Sequence, residues 1–306
     1  MANMFIMRVH EEEIKMSVYP IILTQMNFTH RDNLNFPYEE RGLQFGDGVY
    51  EVIRIYNGHY HLLKEHVDRL FRSSEAINLV LPFTKEEVTD QLLELLEKNK
   101  MTDDGKVYLQ VTRGSARRNH TFPDNTEVNF YAYVEKLARN MDFLENGVST
   151  IIQRDIRWEY CYIKSLNLLP NVLAKQAAKE QGCYESILHK DGLVTECSSA
   201  NIYLVSGEKI YTYPATKRIL EGCVRMRVEQ FAEDLNIPFV EEGFTLEDIP
   251  TADEMFLTSS TSEVMPVIKV DGNLVADGKP GPITRKLQKA YEEDANITTN
   301  TIKHIV

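Results

Sequence analysis

A polar stretch without periodicity, residues 135–146, interrupts a chain that otherwise alternates helical and β-rich runs, and it limits the possible folds most. Before it, residues 62–79 place Leu63, Val67, Leu70 and Phe71 on one helical face. Thr84 and Glu87 stand at capping-box spacing, and Val88, Leu92, Leu95 and Leu96 follow with a helical period. KVYLQVT (106–112) and VNFYAYV (128–134) are rich in β-branched and aromatic residues and predict strands. After it, 149–156 reads as a strand, and residues 164–169 as a turn. Pro170 suits the first turn of a helix running to about Gln181. Residues 185–189, a Lys190-Asp191-Gly192 turn and further runs to Tyr213 predict strands. Gly222 introduces a helix to about Leu235, 255–258 is a short buried strand, and 284–293 is an amphipathic helix. The expectation is an α+β chain of two lobes, a smaller N-terminal domain over 1–139 and a larger C-terminal domain over 140–306, with 135–146 as the linker. At 306 residues the chain has room for two domains of about 100–200 residues each.

Composition removes whole classes. With 43% hydrophobic and 26% charged residues the chain is neither disordered nor fibrous. A net charge of −12 argues against nucleic acid and anionic membranes as partners, where a basic face is expected. Cys161, Cys183, Cys197 and Cys223 form no C-x-x-C pair and none stands at zinc-site spacing from a histidine, so no metal is expected. They read as thiols of a reducing compartment. No run approaches the roughly 18 apolar residues of a membrane span, and the apolar start of MANMFIMRVHEEEIKM is too short for a signal peptide. The expected location is the cytoplasm.

Five stretches put small or polar residues beside apolar strands. In RGLQFGDGVYEVIR (41–54), Gly42, Gly46 and Gly48 permit tight turns before a strand whose one face carries Tyr50, Val52 and Arg54. In YIKSLN, Lys164 lies between an apolar run and a turn. A partly buried lysine has the nucleophilic amine that a Schiff base with an aldehyde cofactor needs, although a solvated lysine has the same sequence. In VTECSSANIYLV, Glu196 sits among apolar neighbours and needs a cationic partner, which a protonated pyridine nitrogen or an arginine supplies. Ser198 and Ser199 add donors. Gly222 in ILEGCVR opens a helix, an anion site by its N–H groups and dipole, and the LTSSTSE turn offers further hydroxyls.

Taken in order, RGLQFGDGVYEV, DIRW..C.IKSLNLL..VLAKQ, GCYE.ILH, VTE.SS.N, TSSTSE and DGK.GP.TRKLQ resemble the fold-type IV pyridoxal-phosphate enzymes, the class IV aminotransferases, over about residues 38–290. Among these the sequence is most similar to the D-amino acid aminotransferases. The resemblance implies a two-domain architecture with pyridoxal 5'-phosphate in the interdomain cleft. It makes Lys164, in the larger domain, the residue that binds the cofactor covalently and moves the proton at Cα. Glu196 pairs with the pyridine nitrogen and keeps the ring an electron sink. Arg69, in EHVDRL, binds the phosphate with its fixed fork, completed by the backbone of Gly222, Cys223 and Val224 and by Ser259 and Ser260. Ser198 and Ser199 line the cofactor, and Leu220 packs against its ring.

The chain departs from the family where Val224 replaces a threonine, which implies weaker cofactor binding, and where Cys197 and Ala200 replace a glycine and a serine. Cys197 beside the cofactor implies inhibition by thiol modification. In the D-amino acid branch an arginine and a histidine two residues on catch the substrate carboxylate, and Arg118 and His120 in TRGSARRNHTFP match that spacing. Tyr50 and Val52 complete the substrate site, while the roles of Arg54 and Arg117 stay open. The family takes this loop from the neighbouring subunit, so the resemblance implies a homodimer. The implied reaction is ping-pong transfer from a D-amino acid such as D-alanine to 2-oxoglutarate, by way of pyridoxamine phosphate, giving D-glutamate and a 2-oxo acid. An L-branched-chain aminotransferase, aminodeoxychorismate lyase and a non-catalytic binding protein are the alternatives; Arg118 with His120 argues against the first, and Lys164 with Glu196 against the last. The start of the chain runs about 18 residues beyond the usual family start, which leaves Met16 as an alternative first residue.

Overall fold

Alternation of apolar and polar residues builds the centre of the first sheet. The computed structural model describes residues 17–303, so the expectation about Met16 lies outside the described residues. The strands are β1 (Ile21–Thr24), β2 (Asn27–His30), β3 (Gly48–Tyr56), β4 (His59–Tyr60), β5 (Gly105–Thr112) and β6 (Asn129–Lys136). All pairings are antiparallel, in the order β2-β1-β6-β5-β3-β4. Val107, Leu109 and Val111 of β5 stand opposite Val134, Ala132 and Phe130 of β6, and all six are buried. The period of two sends Tyr108, Gln110, Tyr131 and Tyr133 to the other face, where they are half-buried.

Among the described residues the α-helices α1 (Arg41–Phe45), α2 (Leu63–Ala76) and α3 (Lys85–Lys98) belong with this sheet. Val67 and Leu70 of α2 and Val88, Leu92, Leu95 and Leu96 of α3 join the apolar face in one core. Each such side chain fully buried contributes about 1.5–3 kcal/mol over its exposed state. The expected capping box is present, with Thr84 N–H donating to Glu87 Oε2 at 2.8 Å and Glu87 N–H to Thr84 Oγ1 at 3.1 Å.

The chain divides into two units, but not at a single point. The first unit takes the residues up to Ala138 together with Ile163–Asn167, and the second takes Arg139–Tyr162 and the chain from Leu168 onward. Lys164 therefore packs with the first unit, where the sequence expectation puts it in the second. The cause is backbone pairing: Tyr50 N–H donates to the Lys164 carbonyl and Leu166 N–H to the Gly48 carbonyl, both at 3.0 Å. Gly48 makes the approach possible, since a Cβ there would come within 2.6 Å of the Val111 carbonyl and 2.9 Å of the Leu166 side chain.

The expected linker also folds differently. Residues 135 and 136 finish β6, and α4 (Met141–Asn146) follows, capped where Asn140 Oδ1 accepts from Phe143 N–H at 3.3 Å. Its polarity has another use: Arg139 is buried and binds Glu263 at 2.6 Å and Glu292 at 2.8 Å.

The second unit holds β7 (Val148–Arg154), β8 (Glu185–Lys190), β9 (Leu193–Cys197), β10 (Asn201–Ser206), β11 (Lys209–Tyr211), β12 (Phe239–Val240), β13 (Glu254–Ser259), β14 (Glu263–Val270) and β15 (Asn273–Leu274). They form one mixed sheet in the order β12-β11-β10-β13-β14-β7-β8-β9, with β15 paired to β14. β7 runs parallel to β8, and such a pair needs a crossover. The chain supplies it through the Lys164 segment and α5 (Leu169–Glu180), which has Pro170 in its first turn. The helices α6 (Cys223–Asp234) and α7 (Pro282–Asp294) complete the unit, and Ile187, Val194, Ile202, Leu204, Met255, Leu257, Met265 and Val267 lie in its core. Among the described residues no helix is long and apolar enough to cross a membrane.

Candidate active site

A strand and a helix of the first unit meet around Lys164. Its backbone is fixed from both sides, by Tyr50 of β3 and by Ser73 of α2, whose Oγ accepts from Lys164 N–H at 3.2 Å. Its Nζ lies 4.4 Å from the centre of the Tyr50 ring, which itself stacks 5.8 Å from Tyr108. Val52 follows on the same sheet face, in register with Tyr108. Arg54 is instead buried and donates to the carbonyls of Gly105 at 3.3 Å and Leu137 at 2.7 Å.

The residue between Tyr50 and Val52 on β3 points the other way. Glu51 is buried against α2, where it accepts from Arg69 Nε at 2.7 Å and Nη2 at 2.8 Å and bonds His66 Nδ1 at 2.7 Å. Burial alone would raise its carboxyl, but Arg69 and His66 together hold it well below the usual carboxylate range. For His66 burial is the larger influence and pushes it below its ordinary value against the pull of Glu51. The ring is neutral near pH 7, and its Nδ1 carries the hydrogen given to Glu51. Arg69 is thus locked by a bidentate pair before any ligand is considered.

In the second unit Glu196, the last residue but one of β9, is buried. Its partners are Arg157, Asn201 Nδ2 at 3.0 Å and Leu220 N–H at 3.2 and 3.3 Å. Burial pushes its carboxyl up, and Arg157 offsets this only in part. The arginine that is the alternative cation for Glu196 is therefore present, itself held by Asp155 at 2.8 Å. Asn201 ties the site together. The same Nδ2 donates to the Leu220 carbonyl at 2.8 Å, and a Cβ at Gly222 would collide with its Oδ1. Asn201 also pairs with Thr258 of β13, directly before Ser259 and Ser260. One side chain thereby joins the buried carboxylate, the Leu220 backbone and the start of α6, next to the hydroxyl-rich turn. No side chain caps α6 at Gly222. Val224, at its second position, is buried.

Other predicted residues have partners that the sequence does not foretell. The Ser198 hydroxyl donates to Glu185, and the Ser199 hydroxyl does so at 2.6 Å; Lys175 reaches the same carboxylate at 2.9 Å. Ser259 Oγ accepts from Ser262 N–H at 3.0 Å. Cys197 departs from the expectation of easy modification, because it is 1% exposed and burial pushes its thiol well above the ordinary value.

Arg117, Arg118, Asn119 and His120 are exposed. Arg118 and His120 gather at one ring, with the Arg118 guanidinium 5.0 Å from the centre of Phe45 and the His120 ring 5.5 Å from it. The same loop lines a cavity of about 450 Å³ with Phe122 and Pro123.

Sequence reading missed Glu51, His66, Arg157, Asn201 and Glu185. Some signal was available: an acid alternating with Tyr50 and Val52 must be buried, and His66 and Arg69 share a helix face at i, i+3. The chemistry of the residues fits pyridoxal phosphate. There is an amine at Lys164, an uncapped helix start beside a hydroxyl turn for an anion, and a buried carboxylate of raised proton affinity for a basic nitrogen.

A profile of the family described as amino-transferase class IV matches residues 48–270. A D-alanine aminotransferase of Staphylococcus aureus (strain COL) is 46% identical over 257 residues, 84% of this chain and 91% of that protein. One of Bacillus licheniformis is 45% identical over 267 residues, 87% and 93% of the two chains. Among solved structures, the fold is similar to a branched-chain aminotransferase of Thermoproteus uzoniensis, with TM-score 0.85 and 24% identity over 92% of this chain and 96% of that one. A branched-chain amino acid aminotransferase of Thermobaculum terrenum, solved in its PLP-bound holo-form, gives a TM-score of 0.81 at 21% identity, over 92% and 95% of the two chains. With its family profile, its close relatives and its fold in agreement, the chain belongs to the class IV aminotransferases, a family of pyridoxal-phosphate enzymes.

Proposed function

We propose that this chain transfers the amino group of a D-amino acid, such as D-alanine, to 2-oxoglutarate, giving D-glutamate and the matching 2-oxo acid. The observation that carries this reading is the Arg118–His120 pair at Phe45, an exposed cationic site for a carboxylate. The 46% identity to a D-alanine aminotransferase supports it.

When bound, pyridoxal phosphate supplies an electron sink for the electrons that remain when Cα loses its proton. Lys164 would hold it covalently, and its amine, when free, would take and return that proton. Tyr50, against which that amine rests, lines the substrate side together with Val52. Glu196 would hold a proton at the ring nitrogen, a role that suits a carboxyl whose proton affinity burial raises. Leu220 supports the ring. The start of α6, with the N–H groups of Cys223 and Val224, would hold the phosphate together with Ser259 and Ser260, while Arg69 would add a fixed positive charge. Ser198 and Ser199, expected to line the cofactor, give their hydroxyls to Glu185.

The working form is a homodimer. Leu169, Val172 and Leu173 of α5 are 69%, 57% and 55% exposed, an apolar helix face suited to a second copy. Four free cysteines fit a reducing cytoplasm.

The test is a comparison of D-alanine with L-leucine, each with 2-oxoglutarate, on the cofactor-loaded enzyme. Faster turnover of D-alanine is expected. Faster turnover of L-leucine would assign the chain to the branched-chain reaction, and repeated-turnover release of pyruvate from aminodeoxychorismate without an oxo-acid acceptor would assign it to a lyase.

A further inference from the structure

We propose that Arg41 and Phe45 are positioning residues for the substrate carboxylate, holding the loop 113–122 so that Arg118 and His120 stand side by side. The inference rests on the role proposed above for that pair. The segment RGLQFGD contributes the brace. Arg41 is 3% exposed, donates from Nε to Asp47 Oδ2 at 2.8 Å and from Nη1 to the Asn119 carbonyl at 2.8 Å. Asn119 lies between Arg118 and His120, so this one bond fixes the backbone from which both side chains leave. Asp47 is shared: it also accepts from Arg113 Nε at 2.9 and 3.1 Å. Arg113 in turn donates to the Asn78 and Ile77 carbonyls at 2.9 and 2.7 Å and stacks 3.7 Å from the centre of Phe122. Both ends of the loop are thereby held to one carboxylate.

Phe45 supplies the surface between them. Arg41 lies 4.7 Å and Arg118 5.0 Å from the centre of its ring, and His120 packs on it at 5.5 Å. An arginine stacked on an aromatic face loses little further freedom when its fork closes on a carboxylate. Backbone bonds add to the hold, with Arg41 N–H donating to the Gly114 carbonyl at 2.9 Å and Arg113 N–H to the Asp47 carbonyl at 3.0 Å. All these contacts lie within one chain, so the brace works whichever subunit's substrate the loop serves.

The test uses Phe45→Leu, which keeps apolar bulk but removes the π face, and Arg41→Lys, which keeps the charge but loses the fork. With D-alanine and 2-oxoglutarate both variants are expected to raise KM roughly threefold to tenfold. Their kcat stays within about twofold of wild type, with cofactor absorption unchanged, the pattern of lost binding rather than lost chemistry. Arg118→Ala raises KM as well, and adding Phe45→Leu to it causes a smaller further rise than Phe45→Leu causes alone, because the ring acts in part through Arg118 and in part through His120. If Arg118→Ala raises KM while both brace variants keep the wild-type value, or if the Phe45 and Arg118 effects simply add, the brace is wrong and the carboxylate site stands. A wild-type KM in Arg118→Ala overturns the carboxylate site and the brace together.

Discussion

At the scale of single residues, the first unit keeps an ionised carboxylate in a place with no access to water, and it does so with two partners from one helix. Glu51 is 0% exposed, and its charge is matched by Arg69 and hydrogen-bonded by His66. The linkage has a definite sign. A carboxyl whose folded pKa lies below its unfolded value of about 4.3 adds stability above that value and loses it as pH falls through the folded one. Glu51 is such a group, so its contribution is complete at neutral pH and declines only in acid below about pH 4. Glu51→Gln leaves the buried Arg69 charge without its counterpart, at a cost of about 3–5 kcal/mol. Urea unfolding at neutral pH should show that loss, and the difference between variant and wild type should shrink toward about pH 3. A constant difference across the range would mean that Glu51 is not the group titrating.

At the scale of elements, the start of α6 offers the clearest experiment. Val224 is 2% exposed and occupies the second position of a helix whose Gly222 cap has no side chain to offer. Val224→Thr is close to isosteric but places a hydroxyl in an apolar setting, which destabilises the cofactor-free protein unless that hydroxyl finds an acceptor. Phosphate is such an acceptor, and a hydrogen bond to a charged group is worth about 1.5–3 kcal/mol. The variant should therefore melt lower without cofactor and bind pyridoxal phosphate about tenfold more tightly. Titration of the cofactor-free protein decides it, and unchanged or weaker affinity rejects phosphate placement at this helix. Elements of this kind were legible where local chemistry agrees with the fold. Thr84 and Glu87 close the capping box that their spacing predicts, and Gly222 does open a helix. Legibility failed where one residue masks another signal. In RGLQFGD the glycines suggest turns before a strand, yet Glu40 Oε2 caps Leu43 N–H at 2.9 Å and Gly46 ends a short helix at φ +65°. β14 escaped notice because Pro266 sits inside it, where a missing N–H argues against a central strand.

At the scale of the whole molecule, the site motifs were readable in order along the chain, but the unit each belongs to was not. Periodicity is local, and nothing local tells that residues 163–167 return to pair with Gly48 and Tyr50 of β3. The net charge of −12 was equally silent about Arg69, Lys164, Arg118 and His120. Whether these residues serve one active site within a chain or are shared between copies is a question of assembly, and complementation answers it. Lys164→Ala removes the amine and Arg118→Ala the carboxylate partner, so each homodimer alone should be severely impaired at low substrate. If the loop reaches the partner's site, a mixed dimer holds one site with both defects and one site with none. Random exchange of equal amounts makes half the dimers mixed, and activity at low D-alanine should recover to about one quarter of wild type. If each chain uses its own loop, every site in the mixed dimer carries one defect and mixing restores nothing. Recovery that appears only after subunit exchange, together with a dimeric mass in solution, is the outcome expected here; absence of recovery despite proven exchange places the loop in its own chain's site.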